Sequence, residues 1–298
     1  MNSRNDTPNV ILIKVHGGLG NQLFQYALGR SLALSSRAVV KYDKSWYATQ
    51  TKRAYELDHF RTVTEIASEA ETTTLRQYER RPGPQHFIHN LFAANEKIYI
   101  REIDFRYDPA ILTTRAPAYL DGYWQSEKYF SSIAKQLRSE LRIKEEPTGK
   151  NREMIEQMRQ EGAISVHVRR GDYVTEKRTN EFHGTTSIEY YQAAARHIMR
   201  RTQNPVIYVF SDDLAWAEAN LHFPARTVYV SHNSPEQGYE DLRLMTHCRH
   251  HIIANSSFSW WGAWLGEHDG QIVVAPQKWF NDPAKDSSDL VPERWIRI

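Results

Sequence analysis

The chain has 298 residues, 40% of them hydrophobic and 12% aromatic, with 38 basic against 36 acidic side chains and a formal net charge of +2. That length suits two domains of about 150 residues each. The near-neutral balance supplies no basic field for nucleic acid, and no apolar run is long enough to span a bilayer. The single cysteine, Cys248, excludes an internal disulfide and fits a reducing compartment. Met1 to Asn9 is polar and lacks the apolar core of a signal peptide, so the expected location is cytoplasmic, with peripheral membrane contact left open.

In chain order, Val10 to Val15 is apolar apart from Lys14 and predicts a strand. His16-Gly17-Gly18-Leu19-Gly20-Asn21 predicts a loop, Gln22 to Leu32 a helix, and Ala38 to Lys41 the next strand. This βα unit partly matches a dinucleotide fingerprint. Asp43 is placed for a ribose contact, but Leu23 stands where the third glycine belongs. Residues 44 to 115 yield few elements. Arg80-Arg81-Pro82-Gly83-Pro84 breaks any regular structure, and Tyr78, His86, Phe87, His89 and Phe92 around it are read as surface packing or a variable cleft wall. Tyr119 to Ser126 predicts a short strand and a turn, and Ser126-Glu127-Lys128-Tyr129 caps a helix running to about Leu141. The polar, breaker-rich Glu145 to Lys150 sets the expected boundary between domains 1–150 and 151–298.

After that boundary, strands and helices alternate. Strands are predicted at Ile164–Val168, Val206–Phe210, Val228–Val230, His251–Ala254 and Ile272–Ala275. Helices are predicted at Ile188–Met199, Leu214–Asn220, Tyr239–Cys248 and Phe258–Leu265. Such alternation implies a parallel sheet covered on both faces. No internal repeat or low-complexity tract interrupts it.

The chemistry concentrates at loops after strands. In His167-Val168-Arg169-Arg170-Gly171-Asp172-Tyr173, alternation puts His167 and Arg169 on one face and Arg170 with Asp172 on the other. Arg169 can therefore fork onto a phosphate at the strand's carboxyl end, while Arg170 pairs with Asp172 and braces the turn. Asn255-Ser256-Ser257-Phe258-Ser259 precedes a helix. One serine caps it, and the others with the free N–H groups suit an anion. The Asn255-x-Ser257 glycosylation pattern falls in an expected crevice, which argues against its use. Trp260 and Trp264 share a helix face and read as core. Asp212-Asp213 resembles a metal-binding pair, but one aspartate is the natural cap of the next helix and no third carboxylate is near. Asp241 opens a helix, where it either complements the dipole or meets a nucleotide base. Glu176 and His183 follow the arginine turn, where a cleft loop would hold an acceptor or take a proton.

Together these stretches resemble a known family. His167 to Tyr173, His16 to Tyr26, Ile253 to Trp261, Gly122-Tyr123-Trp124-Gln125 and Phe210 to Asp213 are similar, in order, to motifs of the bacterial α-1,2-fucosyltransferases of glycosyltransferase family eleven. The resemblance implies a GT-B fold, two Rossmann-like domains facing across a cleft. The first would be mainly acceptor-binding and the second GDP-fucose-binding, with the tail expected to pack back on the first. It implies inverting, metal-independent transfer of L-fucose from GDP-fucose to the 2-hydroxyl of a terminal β-galactose, in surface polysaccharide or O-antigen synthesis. Carried over residue by residue, Arg169 and His167 become the catalytic pair. Arg169, Asp241, Asn255, Ser256, Ser257, Ser259, Gly20 and Asn21 become donor contacts. His16, Tyr123, Trp124, Gln125, Glu176 and His183 become acceptor-side candidates, and Arg170 with Asp172 structural support. The general base is open among His16, Asp172, Glu176 and His183. Two rivals stand beside this reading: a nicotinamide oxidoreductase, from the partial fingerprint, and a non-catalytic nucleotide-sugar or glycan-binding protein.

Overall fold

The computed structural model describes residues 8–36, 38–79, 98–171, 174, 181, 182 and 184–298. The chain divides into two compact units. The first comprises residues 1–58 and 62–140, the second residues 59–61 and 141–298. The polar stretch Glu145 to Lys150 thus falls inside the second unit.

The first unit opens with β1 (Ile11–Lys14), α1 (Leu19–Ser36) and β2 (Val40–Asp43), followed by the short helix α2 (Glu69–Arg76). β3 (Tyr99–Arg101), which the sequence left unread, and β4 (Ala118–Asp121) complete a parallel sheet of order β2-β1-β4-β3. The helix α1 starts three residues earlier than expected, so Gly20 and Asn21 lie in its first turn rather than in a loop. A ring of buried side chains explains its length: Leu23, Phe24, Tyr26, Ala27, Leu28 and Leu32 are all fully covered. The single helix expected from Ser126 to Leu141 is broken into two 3-10 turns and α3 (Ala134–Glu140). Phe130 sits between the turns at φ −142° and ψ 11°, outside the helical region, and is completely buried. Placing its ring in the core therefore overrides the helical pattern.

The second unit carries α4 (Gly149–Gln160), β5 (Gly162–Val168), α5 (Ile188–Met199), β6 (Pro205–Ser211), α6 (Leu214–Asn220) and β7 (Arg226–Tyr229). α7 (Gly238–Thr246), β8 (His250–Ile252), α8 (Ser257–Leu265) and β9 (Val273–Ala275) follow. The tail adds β10 (Ile296–Arg297), parallel to β9. The sheet order is β10-β9-β8-β5-β6-β7, with every pair parallel. Ile164, Val166 and Val168 face Tyr190, Tyr191, Ala194 and Ile198 of α5. Ala163, Tyr208 and Phe210 face Ile155 and Met158 of α4 and Leu244 and Met245 of α7. Helices on both faces bury the central strand on both sides, Ser165 and His167 included.

One buried polar cluster ties α1 to α3. Arg30 forks onto Glu140, with Nε 2.8 Å from Oε2 and Nη2 2.6 Å from Oε1, and Tyr26 O–H donates to the same carboxylate. Burial alone would raise the Glu140 pKa, but these donors and Gln136 hold it below its usual 4.5. Glu140→Ala strands a half-buried guanidinium and should cost about 3–5 kcal/mol in urea unfolding. Because the folded pKa is depressed, the wild-type advantage should be full above about pH 4.5 and fade as pH falls below it.

Candidate active site

β5 is the strand from which the second sheet grows in both directions. β6 and β7 lie on one side and β8 to β10 on the other, which makes the carboxyl end of β5 and β8 the topological switch point. Val166 stands opposite Ile252, so Arg169-Arg170 and Asn255-Ser256-Ser257 leave the sheet side by side. Ser256 caps α8, its side chain accepting from the Phe258 N–H at 3.3 Å. Ser257 is half-buried in the first turn. Ser259 departs from expectation. It is fully buried and donates to the Ser256 carbonyl at 3.2 Å, so its hydroxyl serves the helix itself. Asn255 is buried and its amide donates to the carbonyls of Gly184 and Trp279. Such burial closes it to glycosylation. Trp260 and Trp264 are core residues, as the helix pattern indicated, and Trp261 is buried with them.

The acidic pair after β6 is arranged around the two arginines. Arg169 Nη1 lies 2.7 Å from Asp212 Oδ2, and Asp212 Oδ1 accepts from the Arg170 N–H at 2.8 Å. Arg170 Nε reaches Asp213 Oδ2 at 3.4 Å while its guanidinium lies 3.7 Å from the centre of the Trp216 ring. Asp213 also caps α6, accepting from the Trp216 N–H. The described brace of Arg170 is therefore Asp213 with Trp216. Its expected partner Asp172, together with Glu176 and His183, lies outside the described residues. Gly171 is fitted to Asp212: a Cβ there would come within 2.7 Å of Asp212 Oδ2. His167 is buried against Phe258, and desolvation holds its pKa below the usual 6.5 despite nearby Asp212.

Asp241, in the first turn of α7, is covered enough for burial to raise its pKa to about 6. Asn233 Nδ2 donates to it at 2.7 Å. Beside it Tyr239 stacks on His59, with centroids 3.9 Å apart. At the carboxyl ends of β8 and β9, a cavity of about 230 Å³ is lined by Thr185, Thr186, Ser187, Asn255, Lys278 and Asn281, among others.

In the first unit the glycine loop makes its own cluster. Gly17 has φ +84°, and a Cβ there would meet the Asn21 side chain at 2.6 Å. Asn21 Oδ1 accepts from Gln125 Nε2 at 2.8 Å. His16 stacks on Tyr123, with centroids 4.7 Å apart. The His16 N–H donates to Gln25 Oε1, so the other end of that amide is the donor to both Gly122 O and His16 Nδ1. The imidazole is thereby fixed as the Nε2–H tautomer. Desolvation lowers its pKa to about 4. His16 thus offers a hydrogen rather than taking one at Nε2. Trp124 is only 2% exposed and holds φ +58°, a core residue rather than an acceptor contact. The unread segment supplies the other partners: Tyr47 O–H donates to Gly17 O, and Gln22 bridges Gly17 O and Ala54 O. Burial raises Glu56 to about 7 beside Arg53, and Glu102, raised to about 7, accepts from the N–H groups of Tyr123 and Trp124. Only contacts made by folding identify these residues, since no spacing marks them. Asp43, placed by the sequence for a ribose, is buried and accepts from Tyr119 O–H and Ser45 N–H, which removes the main support of the oxidoreductase rival.

The family model for glycosyl transferase family 11 matches residues 13–298. The chain belongs to glycosyltransferase family 11. It is similar to an alpha-1,2-colitosyltransferase of Escherichia coli, 32% identical over 301 residues that cover 97% of this chain and 99% of that protein. A second Escherichia coli relative, the O-antigen biosynthesis glycosyltransferase WbnK, is 33% identical over 95% of this chain and 98% of its own. Among solved structures, a mutant of Arabidopsis thaliana FUT1 in complex with GDP matches with a TM-score of 0.52 at 12% identity, over 89% of this chain and 70% of that one. This likeness, with the two parallel α/β units, gives the family 11 chain the GT-B fold class. Among the described residues no helix is long and apolar enough to cross a membrane.

The geometry separates the arginines. Arg170→Ala removes a half-buried ion pair and a ring contact, and should lower unfolding stability by about 1–3 kcal/mol. Arg169→Ala removes an ion pair of similar exposure without the Trp216 contact, and should cost about 1 kcal/mol or less. Thermal unfolding of both variants checks this, and the reverse order would show that Arg169 is the brace.

Proposed function

We propose that this family 11 enzyme transfers L-fucose, with inversion, from GDP-fucose to the 2-hydroxyl of a terminal β-galactose during O-antigen or related surface polysaccharide assembly. The observation that carries the reading is the switch point. There a forked cation, Arg169, and the capped N-terminus of α8 follow adjacent parallel strands, so both stand at the same edge of the sheet. In the reaction the bond from the anomeric carbon to the β-phosphate oxygen breaks, and negative charge grows on that oxygen. Arg169 and the first N–H groups of α8 stabilise it. The acceptor oxygen attacks the opposite face of the anomeric carbon and loses its proton. In the first unit His16, through its Nε2–H, and Tyr123 would orient acceptor hydroxyls, with Gly20 and Asn21 lining the donor side. Asp241 would accept from the N1–H and 2-amino group of guanine. We infer no need for a divalent ion, since Asp212 and Asp213 are engaged by Arg169, Arg170 and the α6 cap.

The donor sugar has a specific competitor. Colitose is L-fucose without its 3-hydroxyl, and one of the matched relatives carries a colitosyltransferase name. Both donors share GDP and the same departing group, so the phosphate chemistry does not separate them. The motif resemblance favours fucose.

The deciding assay offers GDP-fucose and GDP-colitose separately with a panel of β-galactosides and determines the linkage formed. An α-1,2-fucosyl product formed faster than the colitosyl one is expected, and exclusive use of GDP-colitose would overturn the donor choice. Turnover should survive excess EDTA; loss restored by a divalent ion would refute the metal-free reading. Arg169→Ala should cut kcat by about a hundred- to a thousandfold, and Arg169→Lys should recover only part of it because the fork is lost.

A further inference from the structure

We infer that Asn233, backed by Asn151 and His232, is a positioning residue that sets the enzyme's selectivity for guanine; this deepens the reading of Asp241 as the base contact and rests on it. The hydrogen bonds run in one direction only. Asp241 as a carboxylate can only accept, so the Asn233 group 2.7 Å away is its Nδ2. The Asn233 Oδ1 at the other end must then accept, and it does so from Asn151 Nδ2 at 2.9 Å. That leaves Asn151 Oδ1 to accept from Asn233 Nδ2 at 3.2 Å and from His232 Nε2 at 2.7 Å. His232 is therefore the Nε2–H tautomer, and its pKa lies below the usual 6.5 through desolvation and the nearby Lys150. Flipping Asn233 would break its contact to the carboxylate, and flipping Asn151 would set its Nδ2 against the donors of Asn233 and His232.

The chain joins three elements. Asn151 stands in the first turn of α4, His232 and Asn233 in the loop after β7, and Asp241 in the first turn of α7. It occupies Asp241 Oδ1, so that Oδ2 would be the acceptor offered to the base. A carboxylate accepting from both N1–H and the 2-amino group must hold one rotamer, and a two-pronged contact loses most when its geometry loosens. The neighbouring Glu240 is turned away from this role by Arg243, whose Nε lies 3.2 Å from its Oε2. Selectivity then comes from orienting one carboxylate, not from adding contacts to the base.

The test compares binding of GDP with binding of IDP, which lacks only the 2-amino group, to the full-length protein by calorimetry. Donor KM and kcat are measured alongside. Wild type should prefer GDP. Asn233→Ala should weaken GDP about tenfold or more, as loss of a hydrogen bond to a charged group does. IDP binding should change less, so the GDP-to-IDP ratio shrinks. Donor KM should rise with kcat within about threefold. Asn151→Ala should have the same effect at smaller size, and it carries the test should Asn233→Ala fail to fold. An unchanged GDP-to-IDP ratio in folded Asn233→Ala or Asn151→Ala overturns the inference. Asp241→Asn separates the two levels. If it binds GDP like wild type, the guanine reading fails and the inference with it. If it is defective while the asparagine variants are not, the inference fails alone.

Discussion

Two guanidinium groups at the end of one buried strand repel each other, and the rest of the second unit is arranged around that repulsion. Asp212 and Asp213, supplied by the adjacent strand, take one arginine each. Parallel pairing makes this possible: β5 and β6 run in register through Val168 and Ser211, so both strands release their charged loops at the same edge. Gly171 must then stay without a side chain, because Asp212 occupies the space. A pair of carboxylates that would otherwise invite a cation is thereby committed to arginine.

Regular alternation made the second unit legible in the sequence. Buried strands such as Ile164 to Val168, helix patterns such as Ile188 to Met199, and a serine before Phe258 all carry local signals that folding did not override. The arginine turn and the capped loop were readable for the same reason, because each is a loop following a strand. The resemblance to family eleven pointed to the chemistry, and the family match supports that level. Misread features depended on partners distant in sequence. Ser259 looked like a phosphate contact until its hydroxyl was seen to close on its own helix. Arg170 has Asp213 as its described partner, forty-three positions away, which no local spacing marks. The helix after Ser126 was broken by the need to bury Phe130, and β3 and β10 are too short to show a period.

The first unit illustrates a different limit. Its glycine loop was visible, but the atoms that fix the loop come from all over the unit. Gln25 joins His16 to Gly122 across 97 positions, and Gln125 reaches Asn21 across 104. The protonation state of His16 follows from the orientation of one amide, which no pattern of residue types reveals. The same holds for the asparagines beside Asp241, unremarkable in sequence and unambiguous once their partners are known.

The short excursion of His59–Arg61 has a consequence for how such enzymes can be recombined. The chain passes between its two units three times, after Asp58, after Arg61 and after Glu140. In the second unit Phe60 pairs with Ile143, the Arg61 N–H donates to the Arg142 carbonyl, and His59 covers Tyr239 next to Asp241. A hybrid spliced once between two relatives would join the second unit of one parent to a three-residue patch from the other. Exchange of whole units along this lineage is therefore constrained to events that carry both pieces, or to partners whose patches already match.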